Sequence, residues 1–194
     1  MAVGSYSKWG GYGHGLMFKT TDGGNTWTRV SPENDIHNIS AIAQDPRNGS
    51  QDIWYAGSGE SLGNSANIIG APYYGQYVWK SVNNGVTWTI VSLNISDLPG
   101  NGSGTNLEAF DHPFDFVHQV AVNPSNGHVY IAGHRRVMRS TDGGNSFSTV
   151  FGSTVPANSS NGQSDIVITN AGKIILAVNG GNPDQTLRGV WISA

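Results

Sequence analysis

The chain has 194 residues, of which only 12% are charged, 27 are glycine and none is cysteine, with a formal net charge of −3 and a pI near 6.0. That balance leaves no basic footprint for nucleic acid, and the lack of cysteine excludes a disulfide framework and thiolate metal ligands. No run approaches the roughly 18 consecutive apolar residues of a membrane span, and residues 1–6 show neither the basic start nor the apolar core of a signal peptide.

Glycine, serine, threonine and asparagine in place of charges predict many short strands joined by tight turns. Residues 2–5 read as the tail of a strand, 6–15 as a glycine- and aromatic-rich loop, and 16–20 as the next strand. The octet Thr20-Thr21-Asp22-Gly23-Gly24-Asn25-Thr26-Trp27 follows. A short Asp or Asn side chain holds a turn by accepting from nearby backbone N–H groups, glycine supplies the left-handed position, and the aromatic that follows anchors the returning strand, here 26–30.

A second unit then runs through strands at 39–44, 52–57, 77–82 and 87–93. Its turn is Asp45-Pro46-Arg47-Asn48-Gly49, its long loop is 58–76, and its octet is Ser81-Val82-Asn83-Asn84-Gly85-Val86-Thr87-Trp88. The third unit repeats the plan at 116–122, 128–133, 136–141 and 146–151, around Ser140-Thr141-Asp142-Gly143-Gly144-Asn145-Ser146-Phe147. A fourth begins at 165–170, 173–178 and 189–193. The lead residues Thr20, Ser81, Ser140 and Ser193 recur at intervals of 61, 59 and 53, and such a period marks a repeat architecture. Each complete unit is a four-stranded meander, the unit of a propeller. The expected fold is all-β: a partial β-propeller of about three and a half four-stranded antiparallel blades. Residues 1–35 end a first blade, 36–93 form the second, 94–151 the third with its long connector, and 152–194 an incomplete fourth.

The pattern Ser/Thr-x-Asp-x-Gly-x-Thr-Trp resembles the Asp box, or BNR repeat, of sialidase-like, sortilin-like and xyloglucanase-type glycoside hydrolase proteins. The box residues here are Thr20, Asp22, Gly24 and Trp27; Ser81, Asn83, Gly85 and Trp88; and Ser140, Asp142, Gly144 and Phe147. The resemblance implies that the box is structural and lies away from the working face. It also implies a secreted or cell-surface protein. Ser193 falls where the other boxes begin, and residues 2–5 sit like 55–58. The sequence is therefore expected to be a segment of a longer repeat protein, whose remaining blades are its partners and whose signal peptide lies upstream. Without them, apolar blade faces at both ends are expected to associate.

Strand parity puts the boxes and the Asx-Pro turns on one rim. The long segments 58–76, 94–115, 134–135, 152–164 and 179–188 fall on the other, where function concentrates. Paired carboxylates of a glycosidase have candidates there in Glu60, Asp97, Glu108, Asp111 and Asp115. Trp9, Tyr12, Tyr73 and Tyr74 are candidates for stacking on a sugar or contacting a protein ligand, with Asn64 and His112 beside them. The bland reading, solvated loop charges and ordinary rim aromatics, weighs more. An arginine cluster for a sialidase carboxylate is poorly served, since alternation separates Arg136 from Arg135 and Arg139, and Arg139 repeats the position of Lys19 and Lys80. No paired histidine spacing for a metal, no cofactor fingerprint and no nucleophile motif occurs, and His118 reads as a satisfied core or channel residue. The preferred function is a non-catalytic propeller segment that binds a glycan or protein through the loop-rich rim; the alternative is part of a glycoside hydrolase.

Overall fold

A computed structural model describes residues 2–6, 14–31, 39–59, 78–91, 114, 116–134, 136–152, 164–179 and 187–194. They form four antiparallel sheets, each a meander of consecutive strands. The first holds β1 (Ala2–Tyr6), β2 (His14–Lys19) and β3 (Thr28–Arg29). The second holds β4 (Ile39–Gln44), β5 (Trp54–Ser58), β6 (Val78–Ser81) and β7 (Thr89–Val91). The third holds β8 (Val117–Val122), β9 (Val129–Gly133), β10 (Arg136–Ser140) and β11 (Ser148–Gly152). The fourth holds β12 (Ser164–Ile168), β13 (Ile174–Val178) and β14 (Gly189–Ile192). This is the all-β, bladed architecture that the repeat predicts.

Alternation along each strand gives every sheet two apolar faces, so the sheets stack face to face in chain order. Met17 and Val30 of the first sheet meet Ile39, Ala56, Trp79 and Trp88 of the second. Tyr55, Val78 and Val91 on the opposite face of the second meet Val120, Ile131, Met138 and Phe147 of the third. Tyr130, Ala132 and Val137 meet Ile166, Leu176 and Val178 of the fourth. Each of the larger aliphatic and aromatic side chains among them contributes about 1.5–3 kcal/mol on burial, against about 0.5–1.5 kcal/mol for a hydrogen bond. The apolar layers therefore hold the sheets together, and the polar bonds between sheets fix their spacing and register.

Strands β4, β8 and β12 lie side by side as the innermost strand of each sheet. The pairing register skips Ser40 in β4 and His118 in β8, one bulged residue in each. A bulge turns its side chain out of the ladder, and here it reaches the next sheet. The Ser40 hydroxyl donates to Val117 O at 2.5 Å, and the Ser164 N–H donates to His118 Nδ1 at 3.2 Å. Gly57 in β5 lies so close to the third sheet that a Cβ there would overlap the Val117 side chain.

Two strand expectations shift. The outer strands start at Thr28, Thr89 and Ser148, two residues later than alternation predicts. The residues just before them belong to the bend, because their amides bond to the box Asp or Asn. The first hairpin is also longer than expected, since Tyr6 pairs with His14.

Candidate functional site

The three octets fold into one bend. The lead hydroxyl of Thr20, Ser81 or Ser140 donates to Oδ1 of Asp22, Asn83 or Asp142 at 2.7, 2.9 and 2.7 Å. The same hydroxyl accepts the N–H of Gly24, Gly85 or Gly144 at 2.9, 2.8 and 2.8 Å. Oδ1 also accepts the N–H of Thr26, Thr87 or Ser146 at 2.9, 2.9 and 3.0 Å. Positions four and five of each octet are left-handed: Gly23 and Gly24, Asn84 and Gly85, Gly143 and Gly144. Glycine reaches that region without penalty, and Asn tolerates it better than most residues.

The Asn in the middle box inverts one bond. In the outer boxes the Thr26 and Ser146 hydroxyls each donate to the second carboxylate oxygen at 2.5 Å, whereas Asn83 Nδ2 donates to Thr87 Oγ1 at 2.8 Å. These bonds stabilise the ionised carboxylates. The hydroxyl and N–H of Thr26 with the hydroxyl of Thr20 hold Asp22 down to about 2, and the hydroxyls of Ser146 and Ser140 hold Asp142 down to about 2. Both carboxylates stay charged wherever the protein is folded at ordinary pH, and all their bonding goes to their own turn.

The box rim also straps neighbouring sheets. Lys19 Nζ donates to Asn84 O at 2.9 Å, and one sheet on Lys80 Nζ donates to Gly143 O at 2.8 Å. Asn84 and Gly143 both occupy the fourth box position, so the strap repeats. Tyr55 strengthens the second strap: its hydroxyl donates to Gly143 O at 3.2 Å, and Lys80 Nζ lies 5.6 Å from its ring centroid. Burial pushes this phenol up to about 12, so it remains a donor. The Asx-Pro turns are tied likewise. Arg47, held by Asp45 at 2.7 Å, donates to Asn126 O at 3.3 Å, and Asn123 Nδ2 donates to Gly172 O at 3.2 Å.

The opposite rim is chemically different. There the first residues of the inner strands meet the β9–β10 hairpin, and Phe116, His118 and His134 form an edge-to-face row. Ring centroids are 6.2 Å apart for Phe116 and His134, and 6.4 Å for His134 and His118. Burial, with His134 adding to it, pushes His118 down to about 4. It is therefore neutral, and its Nδ1 accepts the Ser164 N–H. The Ser164 hydroxyl donates to Gly133 O at 2.7 Å, closing the seam between the third and fourth sheets. Residue spacing carries no signal for this row, because the row depends on the bulge at His118. The straps had a partial signal in the recurrent Lys19, Lys80 and Arg139.

The carboxylates Glu60, Asp97, Glu108, Asp111 and Asp115 lie outside the described residues, as do Trp9, Tyr12, Asn64, Tyr73, Tyr74 and His112. The chain leaves and re-enters the described sheets at this same rim, after Tyr6, Gly59, Val91, Gly152 and Asn179. Among the described residues, no group of three or more His, Asp or Glu side chains is gathered as a metal site.

No protein-family model matches the chain, and no curated protein matches it. Solved structures do. An ancestral GH74 enzyme is 20% identical, with a TM-score of 0.56 over 93% of this chain and 21% of that one. The GH74 enzyme of Niastella koreensis is 22% identical, with a TM-score of 0.52 over 87% of this chain and 22% of that one. The GH74 xyloglucanase of Xanthomonas campestris is 16% identical, with a TM-score of 0.52 over 90% of this chain and 24% of that one. The likeness shows the fold: four successive sheets arranged as in those enzymes. The chain spans about a fifth to a quarter of their length.

Proposed function

We propose that this chain is a non-catalytic propeller segment of a secreted or cell-surface protein, and that its loop-rich rim binds a β-glucan. The observation that carries this reading is the division of labour between the rims. The box rim spends its charged groups on its own turns and on the straps, through Asp22, Asp142, Lys19, Lys80 and Arg47. The loop rim is floored by the Phe116–His134–His118 row, with Phe116 buried and both histidines half-buried, and the connecting segments whose sequence carries Trp9, Tyr12, Tyr73 and Tyr74 leave the described strands at this rim, after Tyr6 and Gly59. Aromatic faces beside neutral donors and acceptors suit a neutral polysaccharide. Xyloglucan is the first glucan to try, because one of the similar structures is a xyloglucanase.

A second reading is favoured by the same likeness. The segment contributes to a glycoside hydrolase, with Glu60, Asp111 or Asp115 as acid or nucleophile. Native electrophoresis through gels containing xyloglucan or unsubstituted β-glucan, paired with a reducing-sugar assay, separates the two. The binding reading expects retardation by xyloglucan, no sugar release, and weaker retardation after His134→Ala. Sugar release that Glu60→Ala or Asp111→Ala abolishes would establish the hydrolase, and migration unaffected by every glucan would refute glucan binding.

A further inference from the structure

An asparagine followed by glycine carries its own reagent. The glycine nitrogen has no side chain beside it as a shield, and it attacks the asparagine side-chain carbonyl wherever the fold leaves both groups unoccupied. Three such pairs lie wholly within the described residues: Asn48-Gly49, Asn84-Gly85 and Asn126-Gly127. Their local chemistry is the same, so the fold alone distinguishes them.

In the middle box the pair is locked. Asn84 sits in the left-handed region with a φ of 56°. Its Oδ1 accepts the Trp54 Nε1–H at 3.1 Å, its carbonyl accepts Lys19 Nζ at 2.9 Å, and the Gly85 N–H donates to Ser81 Oγ at 2.8 Å. At the turn of the third sheet, Asn126 Oδ1 accepts the His128 N–H at 2.9 Å, and the Gly127 N–H donates to Asn123 O at 2.8 Å. The Arg47 guanidinium covers Gly127 so closely that a Cβ there would overlap it. The turn of the second sheet is open by comparison. Asn48 and Gly49 are both exposed, nothing lies within 4 Å of where a Gly49 Cβ would stand, and no described residue holds the Asn48 side-chain amide. The Gly49 N–H donates at 3.0 Å to Oε1 of Gln51, an exposed side chain that water readily replaces.

We propose that Asn48 is a site of spontaneous covalent modification, converting to aspartate and isoaspartate while Asn84 and Asn126 keep their amides. Hydroxide takes the Gly49 N–H proton, and the nitrogen bonds to Asn48 Cγ, closing a cyclic imide. The Cγ–Nδ2 bond breaks, and Nδ2 leaves as ammonia with a proton from water, which restores the hydroxide. Water then opens the ring. Addition at Cγ gives aspartate, and addition at the main-chain carbonyl gives isoaspartate, with the chain running through the former side chain. Water is consumed, ammonia is released, and a carboxylate is gained beside Arg47. That carboxylate competes for the guanidinium that holds Asp45 and straps the second sheet to Asn126 O of the third. The modified turn lies on the box rim, so the inference is independent of what the loop rim binds.

Peptide mass spectrometry of the folded 194-residue chain tests it, with samples taken over days in mildly alkaline buffer and digested at acid pH. Conversion of amide to acid is followed separately at each of the three sites. Asn48 should convert about tenfold or more faster than Asn84 and Asn126, because those two must first open a bonded turn. Its products should elute as two peptides of one mass, aspartate and isoaspartate. In the same buffer with guanidinium chloride the three rates should converge, since the folded turns that separate them are gone. Equal rates at the three sites of the folded chain overturn the proposal. So does an Asn48 whose rate in the folded chain falls about tenfold or more below its rate in denaturant, since its turn would then protect it as the others do.

Discussion

Phe147→Ala is expected to cost about 3–5 kcal/mol of unfolding free energy, while Trp27→Ala, at the same position of the repeat, costs about 1 kcal/mol or less. The contrast follows from where each ring sits. Phe147 is almost fully buried in the layer between the second and third sheets, where it meets Phe114 edge-on at 5.3 Å between centroids. Removing it deletes the ring's transfer free energy and opens a cavity that the flanking strands cannot collapse around. Trp27 is half-exposed, and its indole N–H donates to Gly24 O of its own bend at 3.0 Å. Losing it forfeits that one bond and little buried surface. Urea unfolding at dilutions where the chain is monomeric measures both. Equal costs would mean that the box aromatic acts within its own bend and not between sheets.

The second large effect is one of pH. His118 is held near 4 in the folded chain, mainly by burial, against an ordinary value near 6.5. Between those values the unfolded chain binds a proton that the native state refuses. Stability is therefore full above pH 6.5 and declines as pH falls toward about 4, by about 3 kcal/mol in total. Asp22 and Asp142 titrate in a different window, since their contribution is present above the ordinary carboxylate range and is lost as pH falls through about 2. His118→Asn preserves an acceptor for the Ser164 N–H and cannot gain the proton. Denaturation midpoints at pH 7 and pH 4.5 should thus converge in the variant and stand apart in the parent chain. An unchanged slope would assign the pH dependence elsewhere.

The legible part of this protein was what repetition writes down. Aspartate or asparagine followed by glycine fixed where each bend falls, because few residues other than Gly and Asn occupy consecutive left-handed positions such as Asn84 and Gly85. The innermost strand Ile39–Gln44 was readable to the residue from its alternation and the Asp-Pro that stops it. What escaped required register. Nothing in the spacing of Tyr55 and Lys80 places both on one carbonyl of another sheet, since that follows from pairing within the second sheet and the stacking of the third upon it. His118 acts through a bulge, and a bulge is one extra residue that a periodic reading averages away. Alternation places the start of each outer strand two residues too early, because Thr26, Thr87 and Ser146 alternate like strand residues while their amides serve the bend.

The division between the two rims is the point on which the functional account turns. Backbone amide resonances followed while a xyloglucan oligosaccharide is titrated in test it most directly. Shifts are expected at Phe116, His118, His134 and Ser164, with Gly24, Gly85 and Gly144 unmoved. Shifts gathered on those three box glycines, with the loop-rim amides still, would contradict it.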